Sequence, residues 1–394
     1  MLLEGVRVVD LTTVVMGPLA TRMLADMGAD VIWIESPAGD VLRDYEPMRS
    51  EKMGAFSMSM SRNKRSVMLD LKSDAGAQAV RDLIATADVF VTNLRRKAVD
   101  RLGLDEQSVR EVRPDIVYCA ANGFGAGGPN ADKTAYDDVI QAASGLASTF
   151  AWHGGDPQLV PSILADKIAG VHVAFAIAAA LFDRQRSGKG ATLEVPMAET
   201  MAAFNLVEHL GGQTFRPQHG DFSYSRIRTP HRRPRRTKDG WIVVLPYSTD
   251  NWHHFFEFAG LPELRHDERF ATGGERIKHS DELYGLLDDI VREKTTGEWL
   301  AFCTEHSIPA SEVIDLERIG EHPHYAAVGL LQDDEHPTEG PYRYARDPIK
   351  VDGETSPIRH HAPRLGADTE EVLRELGWDE DRIAAMVGSS GRVD

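Results

Sequence analysis

The chain has 394 residues, more than twice a typical domain of ~150, so two domains or one large α/β domain with an appendage are expected. Its 44 Lys+Arg against 61 Asp+Glu give a formal charge of −17, which repels nucleic-acid backbones and anionic membranes unless basic residues gather locally. Two cysteines, Cys119 and Cys303, are too few for a cysteine-built zinc quartet and suit a reducing compartment, so a cytoplasmic protein is expected.

In chain order, Val6 to Leu11 reads as a buried strand, Pro18 to Met27 as a helix and Asp30 to Glu35 as the next strand. The strand signal recurs at Ser66 to Leu71, Asp88 to Asn93 and Asp115 to Ala120, with helices over Asp74 to Ala87 and Gln107 to Val112. Strands alternating with helices predict a doubly wound parallel sheet, whose ligands collect beyond the carboxyl ends of the strands. Ile163 to Arg186 follows as a long helix, apolar on nearly every side and therefore expected to be central. The longest apolar stretch, Val171 to Phe182, is 12 residues and contains His172, short of the ~18 to 20 that span a bilayer. Thr192 to Pro196 resumes as a strand, Gly211 to Asp239 reads as a crossing segment, and Trp241 to Pro246, Asn251 to Ala259 and Asp281 to Lys294 read as a strand and two helices. A short helix, Thr369 to Leu376, is expected near the end.

Several segments invite a chemical reading. The turn after the first strand, Thr12 to Pro18, has one glycine and lacks the G-x-G-x-x-G spacing of a dinucleotide fold. Gly123 to Pro129 has closely spaced glycines, but the following residues do not look like a phosphate-receiving helix, and a flexible loop is the simpler expectation. Asp166 stands at the start of the long helix, where the helix dipole favours an ionised, nucleophilic carboxylate, although on periodicity alone an ordinary N-cap or first-turn aspartate is the simpler expectation. The run Arg226 to Lys238 holds seven Lys/Arg, interrupted by prolines, and reads as a connector paired to acidic surface rather than a nucleic-acid site. The pairs His253-His254, His322 with His324, and His360-His361 lack helical metal-site spacing and are read as non-ligands.

Taken together, the segments resemble the class III coenzyme A transferases, the formyl-CoA and carnitine CoA-transferase family that also contains the α-methylacyl-CoA racemases. The resemblance is carried by Leu2 to Leu11 with Gly17-Pro18, Met27 to Ile32 with Glu35, Asn63 to Ser66, Leu69 to Lys72 and Asp88 to Asn93. It continues through Arg101-Leu102-Gly103, Gly123-Phe124-Gly125, Tyr136-Asp137 with Gln141-Ala142, Asp166 with Gly170, Arg186 to Gly190, and Leu365-Gly366 with Thr369 to Leu373. It implies a large doubly wound, Rossmann-like α/β domain from both chain ends (1–203 and 341–394), a smaller α+β domain (222–330), linkers at 204–221 and 331–340, and an interlocked homodimer. Coenzyme A, as acyl-CoA, and a carboxylic acid are the implied substrates, with no metal, nucleic acid or membrane.

The resemblance also implies catalysis by Asp166 through an aspartyl anhydride and an aspartyl-CoA thioester. The CoA site it implies uses Val15, Met16, Ser36, Leu69, Asp70, Leu71, Lys72, Asn93, Leu94, Arg101, Thr134, Ala135, Tyr136 and Asp137. Val15, Phe56, Tyr45 and Ser36 replace a glutamine, a tyrosine, a tryptophan and an arginine of the formyl-CoA transferases, and a run of four glycines is missing, which favours an acid less polar than oxalate. The cations of Leu94 to Lys97 are expected to help hold the 3′-phosphate. The racemase alternative requires a histidine before Asp137, where this chain has Tyr136, and the ordinary tyrosine pKa of ~10 is poorly matched to proton exchange near neutrality. A non-catalytic acyl-CoA binder would not need the carboxylate at 166.

Overall fold

In the computed structural model residues 1–390 are described, so the last four positions of the expected 341–394 segment lie outside them. The chain forms two compact units, one of residues 1–144, 160–202 and 329–394 and one of 145–159 and 203–328. In the first unit, the strands β1 (Arg7–Leu11), β2 (Asp30–Glu35), β3 (Lys64–Met68), β4 (Val89–Thr92), β5 (Val117–Ala120) and β6 (Thr192–Glu194) form one parallel sheet in the order β3-β2-β1-β4-β5-β6. The order reverses at β1, so the crevice between β1 and β4 is the topological switch point of a doubly wound sheet.

Helices α1 (Met16–Asp26), α2 (Asp74–Thr86), α3 (Arg96–Leu102), α4 (Asp137–Ala143), α5 (Leu164–Ser187) and α6 (Met197–His209) connect or follow these strands. Val9, Ile32, Val67 and Phe90 of the sheet pack with Leu83 and Ile84 of α2 and with Val372, Leu373 and Trp378 from the far end of the chain. The apolar pattern places β3 two residues too late, because Lys64 enters the strand fully buried. Its ammonium donates to Asp10 Oδ2 at 3.1 Å and to the Pro18 carbonyl at 3.0 Å, a pairing that makes a charge tolerable inside a sheet and that strand patterning does not anticipate. The segment 331–340 expected as a linker contains strand Leu331–His336, which pairs antiparallel with Gly340–Ala345.

Helix α5 is not buried all round. Ala165, Ala169, Val173, Ile177 and Leu181 are buried, whereas Phe175 is 71% and Phe182 65% exposed. By length and composition α5 is apolar enough to cross a membrane, which the 12-residue stretch understates, and half of the longer span is buried inside the protein. The buried face lies on α1, and Gly170 makes the approach possible: a Cβ there would come within 2.7 Å of the Met16 carbonyl oxygen.

In the second unit, β7 (Arg235–Arg236), β8 (Trp241–Val244) and β9 (Ala310–Glu312) form a small antiparallel sheet. It accompanies α7 (Thr249–Phe258), α8 (Ser280–Arg292) and α9 (Thr296–Glu305). Ser248 and Thr295 cap α7 and α9 with reciprocal capping boxes, satisfying amides that the first helical turn leaves open. Trp252, Phe255, Phe256, Leu287, Trp299 and Phe302 form the core.

Candidate active site

The loop Thr12–Val15 leaves β1 under several restraints. Val14 has φ 68°, a conformation that a β-branched residue adopts only when its surroundings impose it. Its N–H donates to Asp40 Oδ2 at 2.8 Å. Asn93, at the end of β4, accepts from the Thr13 N–H at 2.9 Å and donates to the Thr13 carbonyl at 2.7 Å. Trp33 Nε1 donates to the Thr12 carbonyl, and the Thr12 hydroxyl donates to Asp10. The loop is thereby tied to the end of β4 and leads into α1, whose Met16 amide reaches Asp166.

A cavity of about 460 Å³ opens there, at the carboxyl ends of β1 and β4, and Asp166 is among its lining residues. Asp166 lies in the first turn of α5 and is 6% exposed. Burial, followed by the charge of Asp137, raises its carboxyl to a pKa of about 6, against the opposing hydrogen bond from the Met16 backbone N–H. The helix-start position does not hold the group at an ordinary carboxylate value: desolvation in this case outweighs the helix dipole. Asp137 accepts the Asp166 backbone N–H at Oδ2, 3.1 Å away, and the Gln141 amide at Oδ1, 2.5 Å away. Fully buried Gln141 also donates to the Ser162 carbonyl and accepts from the Val160 N–H. The segment leading into Asp166, and the Asp166 amide itself, are therefore fastened to α4.

Of the residues expected around CoA, Met16, Asn93, Leu94, Arg101, Thr134, Ala135 and Tyr136 line this cavity together with Asp166. Val15 is buried at the start of α1, and Asp137 faces the Asp166 helix instead of the cavity. Ser36, Asp70 and Lys72 are exposed and Leu71 is half-buried beyond the ends of β2 and β3, while the Leu69 side chain belongs to the core. The three cations after Leu94 are not equivalent. Arg96 pairs with Glu194 and Lys97 with Asp132, whereas Arg95 donates to the Thr134 hydroxyl and Arg101 to the Lys97 carbonyl.

The glycine loop expected to be free is ordered by carboxylates: the Gly125 N–H donates to Glu199 and the Ala126 N–H to Glu194. Its amides are thus engaged by acidic side chains. Sequence reading missed the anchoring roles of Gln141 and Asp40. The only local hint for Gln141 is its spacing, four residues after Asp137 on one helical face. Among the described residues no group of three or more potential ligands could hold a metal ion.

Residues 3–369 match the model for CoA-transferase family III. The chain belongs to CoA-transferase family III. Human succinyl-CoA:glutarate CoA-transferase is 30% identical over all of this chain and 90% of its own length. Formyl-CoA:oxalate CoA-transferase of Afipia carboxidovorans is 30% identical over 99% of this chain and 97% of its own length. Among solved structures, a CAIB/BAIF family protein from Brucella suis superposes with TM-score 0.79 at 27% identity, covering 95% of this chain and 98% of its own. Rv3272 of Mycobacterium tuberculosis gives 0.80 at 27%, covering 94% and 99%. As a family III CoA-transferase, this protein is an enzyme that moves coenzyme A between an acyl-CoA and a carboxylic acid.

Proposed function

We propose that transfer runs covalently through Asp166. Its carboxylate attacks the thioester carbonyl of the donor acyl-CoA, giving a mixed anhydride and CoA thiolate. The thiolate attacks the aspartyl carbonyl, releasing the donor acid and leaving an aspartyl-CoA thioester. The acceptor carboxylate then attacks this thioester and expels the thiolate, which takes the acyl carbonyl of the new anhydride and restores Asp166. The buried carboxylate at the switch-point cavity carries the reading: desolvation makes it more basic and hence a stronger nucleophile, while a pKa of about 6 leaves it mostly ionised above neutrality. Burial also keeps water from intermediates that it would hydrolyse.

For CoA itself, Met16, Asn93, Leu94, Arg101 and Thr134 to Tyr136 at the cavity, with Ser36 and Asp70 to Lys72, form the proposed surround, to which the buried Val15, Leu69 and Asp137 would add backbone only. Arg95 and Arg101, which pair with no carboxylate among the described residues, line the cavity and are proposed to receive phosphate oxygens. The acid is proposed to be less polar than oxalate, given Val15, Phe56 and Tyr45. A homodimer is proposed because apolar side chains on α5 and α6 face solvent in the single chain, Val207 at 82% exposure and Phe175 at 71%. The cytoplasm is the proposed compartment, on the strength of two free, buried cysteines. Hydroxylamine added during turnover should leave a hydroxamate on Asp166, detected by peptide mass spectrometry. Transfer retained in Asp166→Ala overturns the covalent route.

A further inference from the structure

The basic run Arg226 to Lys238 has no part in the cavity at Asp166. In the second unit it folds onto α8 and encloses a separate pocket of about 260 Å³. Arg226, Arg232, Arg233 and Arg235 line it on one side, and Val243 and Leu245 supply an apolar wall. The aromatic ring of Tyr284 organises the cations: Arg226 Nε donates to its hydroxyl, and the guanidinium carbons of Arg226 and Arg235 lie 5.9 and 5.4 Å from its ring centre.

Charge in the pocket is not balanced. Asp288, 3.6 Å from Arg235 and 2.8 Å from Arg233, also contacts His231 at 3.1 Å, so one carboxylate is shared among three basic side chains. Arg226 and Arg232 form no ion pair with a described residue. Arg235 is 5% exposed and donates to the Arg233 and His231 carbonyls, while its Nε faces Asp288 at 3.6 Å, too far for a hydrogen bond. Holding guanidinium groups together without enough counter-charge is unfavourable unless an anion joins them, and the planar guanidinium fork matches a carboxylate in two-point contact.

We propose that this pocket binds a short aliphatic dicarboxylate, its carboxylates on Arg226 and Arg232 and its methylenes against Val243 and Leu245. The choice of a carboxylic acid as ligand rests on the transferase reading above. The excess of guanidinium over carboxylate favours a dianion over a monoanion. The small volume and apolar wall favour a hydrocarbon-linked acid over a nucleotide phosphate.

Isothermal titration calorimetry on the full chain at low salt tests this with glutarate, butyrate, inorganic phosphate and coenzyme A as titrants. Glutarate should bind at least tenfold more tightly than butyrate or phosphate. Arg232→Gln, which removes an exposed side chain with no described partner, should weaken glutarate at least fivefold and leave coenzyme A unaffected. Arg226→Lys, which keeps the charge and loses the fork, should weaken glutarate in a protein that still melts cooperatively. Equal glutarate affinity in wild type and both variants overturns the site, and phosphate binding tighter than glutarate overturns the ligand class. Because the measurement involves no turnover, loss of the Asp166 mechanism would leave the result standing, and failure of binding would leave that mechanism untouched.

Discussion

Replacing Asp166 by asparagine should abolish transfer and stabilise the protein. In the fold the carboxyl has a pKa of about 6 instead of its ordinary 3.8, chiefly through burial and then through Asp137. The raised value means that the folded state holds the proton more tightly than the unfolded chain. The neutral acid therefore carries no penalty below about pH 4, the penalty grows as pH rises toward 6, and it is complete above that. About two pKa units correspond to ~3 kcal/mol at pH 7.5. Asparagine keeps the shape and an acceptor for the Met16 N–H but cannot ionise, so the variant should gain up to this amount near neutrality and almost nothing at pH 4. Differential scanning calorimetry of both proteins from pH 4 to 8 gives the difference in melting temperature, which should widen across pH 4 to 6 and then level off. Wild-type transfer should rise with pH through a limb near 6 as the nucleophile ionises. A stability difference independent of pH, or an asparagine variant less stable than wild type at pH 7.5, refutes the assignment of a desolvated carboxylate.

Gly170→Ala would drive a methyl group to within 2.7 Å of the Met16 carbonyl, so a loss of ~1–3 kcal/mol is expected, with lowered kcat as α1 shifts from Asp166; calorimetry and steady-state transfer assays measure both. Gln141→Leu removes the partner of Asp137 and of the Val160 and Ser162 backbone, leaving buried polar groups unsatisfied at about 1–3 kcal/mol each, and should reduce transfer with little change in CoA affinity by calorimetry. Tyr136, 60% exposed at the cavity, stands where proton exchange would call for a histidine, so a chiral 2-methylacyl-CoA in deuterated water should show negligible α-deuterium uptake by mass spectrometry. Inversion at turnover rates without an acceptor acid refutes that prediction.

Local pattern carries much of the sheet. The β-branched run at Asp30 to Glu35 gives β2 residue for residue, and Ser73 before Asp74 marks the start of α2 by accepting the Gly76 N–H. It fails where distant groups decide. Lys64 is admissible in β3 because Asp10 is 54 positions away in sequence and adjacent in space. Uniform apolarity in α5 says that the helix has two sides to cover without saying that only one is covered within the chain. The position of Asp166 at a helix start is legible; its protonation is not, since the desolvation that raises it comes from packed neighbours and its charge partner Asp137 lies 29 residues earlier.

Val14 shows why the active-site turn in particular resists reading from sequence. A β-branched residue at positive φ runs against its own preference, so the sequence offers no glycine to announce the turn. The strained conformation is instead held from outside, by Asp40 on one side and by the two-way Asn93–Thr13 contact on the other. Burial raises the Asp40 carboxyl pKa as well, so this restraint is also a desolvated acid. The switch point thus concentrates two locally unfavourable features, a left-handed valine and a nucleophile held out of water, within one turn of α1. The second depends on the packing of α1 against α5, because the helix that carries the Met16 amide is the one Gly170 lets approach Asp166. Alanine at 170 should therefore alter the pH dependence of transfer as well as its rate, by moving the one amide that lowers the Asp166 pKa. An unchanged acid limb in that variant would show that the Met16 contact does not set the ionisation of the nucleophile.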